Sequence, residues 1–301
     1  HEARELHLGT EHRADRVQAF GRQPLELAEL RLLAVEVEQD VVGDLILRPD
    51  FNSSWRHWSD DAGNGNGAFQ RTRATRTRDA WIKHAQRDMG HVASYSRFFH
   101  LFINGIYWGT YEFSEQPTKH FAANYFGGSP DDYDELYQGA VDAGTSTAYN
   151  TMIGITGLSD NANYELMKQY LDVTQFSDYS LLHFFVGHQD WGLNKNWAAI
   201  RKRVAGPEGR FQYFPWDGEC VLLDEGVNRV PNGGGSTDVP SGLFTKLDDN
   251  AQFRLDFADR VHKHLIAPGG ALTREADIAR WQSWQALLDN PIVAESCRWG
   301  D

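Results

Sequence analysis

The clearest pattern along the chain is a pair of apolar runs, Arg97-Phe-Phe-His-Leu-Phe-Ile103 and Ile106-Tyr-Trp-Gly-Thr-Tyr-Glu-Phe113, separated only by Asn104-Gly105. Asn and Gly both tolerate positive φ, which a two-residue type I′ turn needs at its two central positions, so the spacing predicts a β-hairpin. Leu45-Ile-Leu47 is a short buried-strand candidate, and residues 77 to 89 read as a helix opening at Thr77 and stopping at Gly90. Further on, helical spacing covers 161 to 171, then a segment from Thr174 whose Tyr179, Leu181, Leu182, Phe184 and Phe185 leave it buried on most sides. The stretches 249 to 266, 273 to 288 and 291 to 299 also read as helices. A second hairpin is expected from Asn196 to Arg203, a turn at Gly206-Pro-Glu-Gly209, and Arg210 to Trp216. Asp60 to Gly67 and Asn232 to Ser236 read as loops, and residues 116 to 160 as mixed and loop-rich. Residues 1 to 44 carry only a weak leucine periodicity (Leu25, Leu27, Leu30, Leu32, Leu33) and receive no assignment. No internal repeat is visible.

Composition narrows the class. The 301 residues are 41% hydrophobic and 13% aromatic, which supplies ample core and excludes a disordered chain. No apolar run approaches the ~18 to 20 residues of a membrane span. With 29 basic against 42 acidic residues the net charge is −13, which disfavours binding to a phosphate backbone. The chain opens at His1 without a signal segment and reads as a mature or trimmed chain. Two cysteines, Cys220 and Cys297, are too few for a disulfide framework; two buried free thiols are expected, with a single bridge as the alternative.

The polar residues with chemical potential gather at the open end of the second hairpin. If Arg203 faces Arg210, Asn196 faces Asp217, and neighbouring strands ~4.8 Å apart let the two side chains share one cation. Glu219 falls two residues past Asp217, on the same face of an extended strand, and Asp190 and Asn194 lie in the loop feeding the hairpin. All are hard oxygen ligands of the kind magnesium or manganese prefers. Their order matches phosphoryl-transfer enzymes of the kinase type, in which a loop Asp orients the acceptor hydroxyl, an Asn soon after holds metal, and a strand pair leads to a second metal-binding Asp. His188-Gln189-Asp190 stands for His-Arg-Asp, and Trp216-Asp217-Gly218 for Asp-Phe-Gly.

With these residues in view, the chain over about 44 to 301 resembles the CotH kinases, a family of atypical protein kinases named for a spore-coat protein. The family pattern Asn-Gly-x-Tyr-x-Gly-x-Tyr-x-x-x-Glu is met by Asn104, Gly105, Tyr107, Gly109, Tyr111 and Glu115. Asp190, Asn196-Trp197 and Pro215-Trp216-Asp217-Gly218-Glu219 match its later motifs, as does the terminal Arg298-Trp299-Gly300-Asp301. The resemblance implies an α+β, bilobal kinase-like fold, with a mostly β N-lobe over 1 to 115 and a mainly helical C-lobe over 116 to 301. It implies ATP with Mg²⁺ or Mn²⁺, transferred to Ser or Thr of a secreted or surface protein. Asp190 is the implied catalytic residue, Asp217 the metal ligand with Asn196 and Glu219 assisting, and Glu115 a hinge residue touching nucleotide. The helix at 77 to 89 takes the place of the kinase αC helix.

One departure stands out. Kinases hold the α- and β-phosphates with a cation on the N-lobe sheet, usually Lys. This chain has no Lys before Lys83 and no Gly-rich loop, so Arg16, Arg22, Arg31 or Arg48 must substitute if nucleotide binds. The alternatives are a catalytically silent kinase-like binding module and, more remotely, a glycan-acting hydrolase built on paired carboxylates and exposed Trp. Plainer readings apply elsewhere. Arg71, Arg73, Arg76 and Arg78 read as a solvated face, Asp79 as a helix-start acid, and His183 and His188 as ordinary helix and loop residues. Trp55, Trp58, Trp81 and Trp108 read as core, and Asn52-Ser-Ser54 is a formal glycosylation acceptor.

Overall fold

The computed structural model describes residues 30–34, 44–50, 73–192, 195–231 and 238–300. The expected loops at 60 to 67 and 232 to 236, Trp55, Trp58, Arg71, the Asn52 acceptor and Asn194 lie outside them.

Strands β1 (Leu30–Ala34), β2 (Leu45–Arg48), β3 (Ser96–Ile103) and β4 (Ile106–Glu115) form an antiparallel sheet in the order β1-β3-β4-β2. The expected turn joins β3 to β4: Asn104 and Gly105 have φ of 51° and 76°. A bulge between Leu101 and Phe102 lies opposite Gly109, and Phe102 pairs with Tyr107 beyond it. Part of the unassigned N-terminal stretch is thus strand β1. Helix α1 (Arg78–Asp88) precedes the hairpin in sequence and packs beneath it. Ala80, Trp81, Ile82, Lys83, Ala85 and Gln86 are all buried, so the middle turns of α1 leave only His84 and Arg87 part-exposed. Met89 and Gly90 end it, Gly90 at φ 95°.

Residues 116 to 160 are more ordered than their loop-rich composition suggests. They hold α2 (Lys119–Phe126), β5 (Tyr133–Tyr137), β6 (Ala140–Ala143) and α3 (Thr147–Gly154). After α4 (Asn161–Met167) and α5 (Val173–Phe185), β7 (Trp197–Lys202) and β8 (Gln212–Pro215) complete a second antiparallel sheet, ordered β6-β5-β7-β8. Strands of four or five residues joined through a partner 60 positions away leave little periodicity to read. The remaining helices are α6 (Pro240–Asp248), α7 (Ala251–Val261) running into a wide π turn at His262–Ile266, α8 (Arg274–Leu288) and α9 (Pro291–Trp299).

Helix α5 organises the second half. Phe176, Tyr179 and Leu182 are fully buried, Phe176 and Tyr179 among aromatic rings that include Trp191, Trp197 and Tyr213. Each buried apolar side chain of this size contributes about 1.5–3 kcal/mol. The Gln175 amide pairs with both backbone groups of Tyr213, at 2.6 and 2.9 Å, and so pins the edge of β8 to the helix. Its far end releases the chain at Gly187 (φ 56°) into the segment carrying His188 and Asp190.

The last helix returns to the first sheet. Glu295 of α9 is buried; it accepts the Thr110 N–H at 2.6 Å and pairs with Arg76 at 3.0 Å. The Trp299 indole donates to the Trp108 carbonyl at 2.7 Å, and the two rings meet edge to face. The hairpin motif and the terminal Arg-Trp motif are therefore two sides of one contact. Gly109 (φ 144°) admits it, because a Cβ there would lie 2.9 Å from a Glu295 carboxylate oxygen. Arg76 and Arg78 are buried, which corrects their reading as a solvated face.

Candidate functional site

Strand β2 ends at Arg48, directly opposite Glu112 on β4. Its guanidinium leaves the sheet and meets three carboxylates. Nε lies 3.1 Å from Asp79 Oδ2 on α1, while Nη2 donates to Glu219 Oε1 at 3.0 Å and to Asp217 Oδ1. The Trp216 ring lies 5.1 Å from the same guanidinium, within cation–π range. Asp79 also accepts the Gly218 N–H at 2.7 Å. One acid of α1 thus binds both the cation of the first sheet and the backbone after β8.

Four residues further along α1, on the same face, Lys83 is fully buried yet fully partnered. Its ammonium donates to Asp79 Oδ2, to Glu112 Oε1 at 3.1 Å and to Ser114 Oγ at 2.8 Å, which uses its three N–H bonds. Ser96 donates to Glu112 from the other side. Burial alone raises the Asp79 pKa, but Lys83, Arg48 and the Gly218 amide together hold it down at about 2. Asp50 behaves oppositely: burial, with Glu112 adding, pushes its carboxyl well up.

The second wall of the cleft comes from two loops zipped together by backbone. Gln189 N–H donates to Cys220 O at 3.1 Å and Leu222 N–H to Val186 O at 2.8 Å, so the Asp190 loop and the segment after Asp217 run side by side. His183 and His188 are buried and stacked, their Nδ1 atoms 2.9 Å apart, with Trp191 against His183. His188 Nε2 lies 3.1 Å from Asp190 Oδ1, close but without hydrogen-bond alignment. Burial raises the Asp190 pKa, and the neighbouring His188 and Asn196 bring it below the ordinary value. Burial, with Asp190, Glu219 and Asp217 adding, pushes the Cys220 thiol far up, which records how these acids surround one point. Cys220 is a half-buried free thiol, and Cys297 is also free but exposed rather than buried.

Of Asp190, Asn196, Asp217 and Glu219, the structure joins Asn196 to Asp190 and, through Arg48, Asp217 to Glu219, and not through the register expected. Trp197 pairs with Pro215 and Ile200 with Gln212, one position away from the pairing that sets Asn196 opposite Asp217. Both residues stand just outside the ladder in left-handed backbone, with φ of 65° and 55°. The Asn196 amide turns to the Asp190 carbonyl, 3.3 Å away. Nor is Glu219 on a strand: Asp217 reverses the chain into a 3₁₀ turn over Gly218–Cys220, and that turn aims Glu219 at Arg48. Glu115 ends β4 near the junction of the two sheets, but it is buried, and its carboxylate takes the Tyr95 N–H at 2.8 Å and the Tyr125 hydroxyl at 2.9 Å.

A family model described as CotH kinase protein matches residues 66–301. The chain belongs to the CotH kinase family. A comparison with curated proteins gives no match. Arg48 precedes the span matched to the CotH model, so its place in the cleft is a property read from this chain. Sequence reasoning named Arg48 only among four candidates and gave Asp79 no part and Lys83 none beyond its position. The signal was present in Asp79-x-x-x-Lys83, an acid and a base one turn apart within an otherwise apolar helix face.

The family implies ATP use, and Asp217, Glu219 and Asn196 are the residues that would hold a divalent cation. Asp217, Glu219 and the Asn196 carbonyl offer hard oxygens only. Arg48 and Lys83 pair with Asp79, Glu112, Asp217 and Glu219, and Arg78 is a further cation near Glu219. Asp190 Oδ1 is buried without a hydrogen-bond donor. Among the described residues no three acidic, His or Cys side chains are grouped to hold a metal, and Arg48 contacts both Asp217 and Glu219.

Proposed function

We propose that this CotH-family protein transfers the γ-phosphoryl of ATP to a Ser or Thr hydroxyl of a secreted or surface protein. The observation that carries the reading is the Arg48–Asp79 ion pair, with Asp79 bonded onward to Gly218 beside Asp217. It has the form of the Lys–Glu pair of kinases, in which a strand cation is braced by a helix acid and aimed at the phosphate-binding cleft. The first sheet with α1 then serves as the N-lobe, ending near Glu115, and residues 116 to 301 as the C-lobe.

Within this reading Arg48 grips phosphate, and Asp79 and Lys83 hold it in position. Asp190 orients the acceptor hydroxyl and accepts its proton as the oxygen–phosphorus bond forms and the bond to ADP breaks. Asp217, with Asn196 and Glu219, holds Mg²⁺ or Mn²⁺, which supplies charge neutralisation at the phosphates. Glu115, already saturated by Tyr95 and Tyr125, fixes the junction between the lobes rather than offering its carboxylate to nucleotide. The depressed pKa of Asp190 keeps it ionised at neutral pH, as a hydroxyl-orienting acceptor must be.

Calorimetric titration of ATP with Mn²⁺ or Mg²⁺, followed by phosphorylation of a Ser/Thr protein acceptor, tests the assignment. Asp190→Ala should retain metal-dependent ATP binding and lose about 10²–10⁴-fold in transfer rate. Asp217→Ala should lose the metal-dependent binding itself. Full transfer by Asp190→Ala refutes the catalytic assignment. No binding at millimolar ATP favours the silent module, in which the carboxylates neutralised by Arg48 serve only the fold.

A further inference from the structure

We propose that Arg48 is a resident counter-ion of the metal ligands, and that it must release Asp217 and Glu219 before a divalent cation can bind them, so that cation and nucleotide enter together. The inference rests on reading the cleft as a nucleotide site.

Three features of the contact lead to it. The same Nη2 serves Asp217 Oδ1 and Glu219 Oε1, so a single nitrogen bridges both acids. A divalent cation on those oxygens and a guanidinium at hydrogen-bond distance repel one another, and they compete for the same lone pairs. The guanidinium, however, is also held elsewhere: Nε forms an ion pair with Asp79 at 3.1 Å without hydrogen-bond alignment, Asp79 is itself held by Lys83 and Gly218, and the guanidinium carbon lies 5.1 Å from the Trp216 ring centroid. Arg48 can therefore give up its Nη2 contacts by turning about the anchored end, without leaving the cleft. A turned fork needs an anionic partner, and the abandoned carboxylates need a cation. A nucleotide phosphate supplies the first and the metal the second, so each ligand removes the cost of binding the other. Lys in this position would place its one compact ammonium on these acids together, as Lys83 does with Asp79 and Glu112, and would have no second nitrogen about which to turn. An Arg thus converts the site from one poised for free metal to one that admits metal with nucleotide.

The test is Mn²⁺ binding by full-length protein, read from the electron paramagnetic resonance of free Mn²⁺, with and without ADP and corrected for the Mn–ADP complex in solution. Wild type should bind Mn²⁺ weakly alone and about tenfold or more tightly with ADP, within the ordinary range of coupling between sites. Arg48→Gln should bind Mn²⁺ alone about tenfold more tightly than wild type and show little further gain from ADP. Arg48→Lys, which keeps the charge but not the fork, should fall between them and supplies the answer if Arg48→Gln does not fold. Nucleotide-free Mn²⁺ affinity unchanged or weakened in both variants, while Asp217→Asn abolishes it, overturns the counter-ion proposal and leaves the site reading standing. Mn²⁺ binding insensitive to Asp217→Asn overturns the site reading and this proposal with it.

Discussion

Replacing Lys83 by Met tests the charge network at its most deeply buried point. Met fills a similar volume, so the perturbation is the loss of an ammonium with three donors rather than a cavity. Asp79 keeps Arg48 and the Gly218 amide. Glu112 keeps only the Ser96 hydroxyl, and its second oxygen already lacks a donor. Leaving one carboxylate buried without its cation costs about 3–5 kcal/mol. That is a large share of the 5–15 kcal/mol by which folded proteins usually exceed their unfolded chains. At about 2–4 °C per kcal/mol for chains of this size class, the midpoint should fall by roughly 6–20 °C. Urea denaturation followed by tryptophan fluorescence measures the free energy directly. The second arm is Lys83→Met/Glu112→Gln, which removes the stranded charge together with its partner and should recover at least about 1.5 kcal/mol relative to the sum of the single changes. A Lys83→Met cost below about 1 kcal/mol, or strict additivity in the double variant, would refute the reasoning that Lys83 exists to neutralise Glu112 and Asp79.

Three further outcomes follow from the same physics. Burial pushes Glu135 of β5 up to about 7, so its ionisation opposes folding as pH rises from its unfolded value near 4 through 7; Glu135→Gln should match wild type at pH 5 and exceed it by about 1–3 kcal/mol at pH 8 in thermal melts. Burial raises the Asp178 pKa, but hydrogen bonds from His264, His91 and Arg260 hold it well below the ordinary value. Its stabilisation is present above pH ~4 and lost as pH falls through the depressed value, so Asp178→Asn should cost about 3 kcal/mol at pH 7 and less with each unit below 4. A Cβ at Gly218 would lie 2.5 Å from the Ile82 side chain, so Gly218→Ala should drive α1 from Asp217, destabilise by about 1–3 kcal/mol and weaken metal-dependent ATP binding; calorimetry showing wild-type affinity would count against that coupling.

The parts legible in the sequence are those whose information is local. The β3–β4 turn rests on Asn104-Gly105, and helices α8 and α9 begin and end within a residue or so of where apolar spacing and caps place them. Asp190, Asn196 and Asp217 could be proposed because their order along the chain resembles that of the kinase motifs. What escaped was tertiary. Whether Arg48 or another early Arg reaches the cleft depends on β2 pairing with β4 across an interval of some 65 residues. Of the second sheet the β7–β8 hairpin was legible, but β5 and β6 were not, because β5 has only five residues and pairs with β7 far downstream. The register error at β7–β8 came from facing Arg203 with Arg210; a 3₁₀ turn at Pro207–Gly209 instead sets Ile200 against Gln212 and leaves residues 196 and 217 beyond the ladder in left-handed backbone, which no apolar pattern announces. Asp79 was undervalued because a helix-start acid is ordinary, and only the fold shows that it faces inward.

The return of α9 to the first sheet bears on how the protein is made. The Thr110 amide and the Trp108 carbonyl meet Glu295 and Trp299, and Arg76, which also donates to the Pro49 and Thr110 carbonyls, pairs with Glu295, these partners on α9 lying more than 180 positions later. At about 5–20 residues per second, a ribosome takes roughly 10–40 s to deliver them after the hairpin emerges. During that interval the first sheet has buried-type polar groups facing water and no lid of its own. The sheet that carries Arg48 is therefore completed last although it is synthesised first, and such long-range closure slows folding. The two sheets should accordingly unfold as one cooperative unit, since detaching the final helix strips the first of its seal.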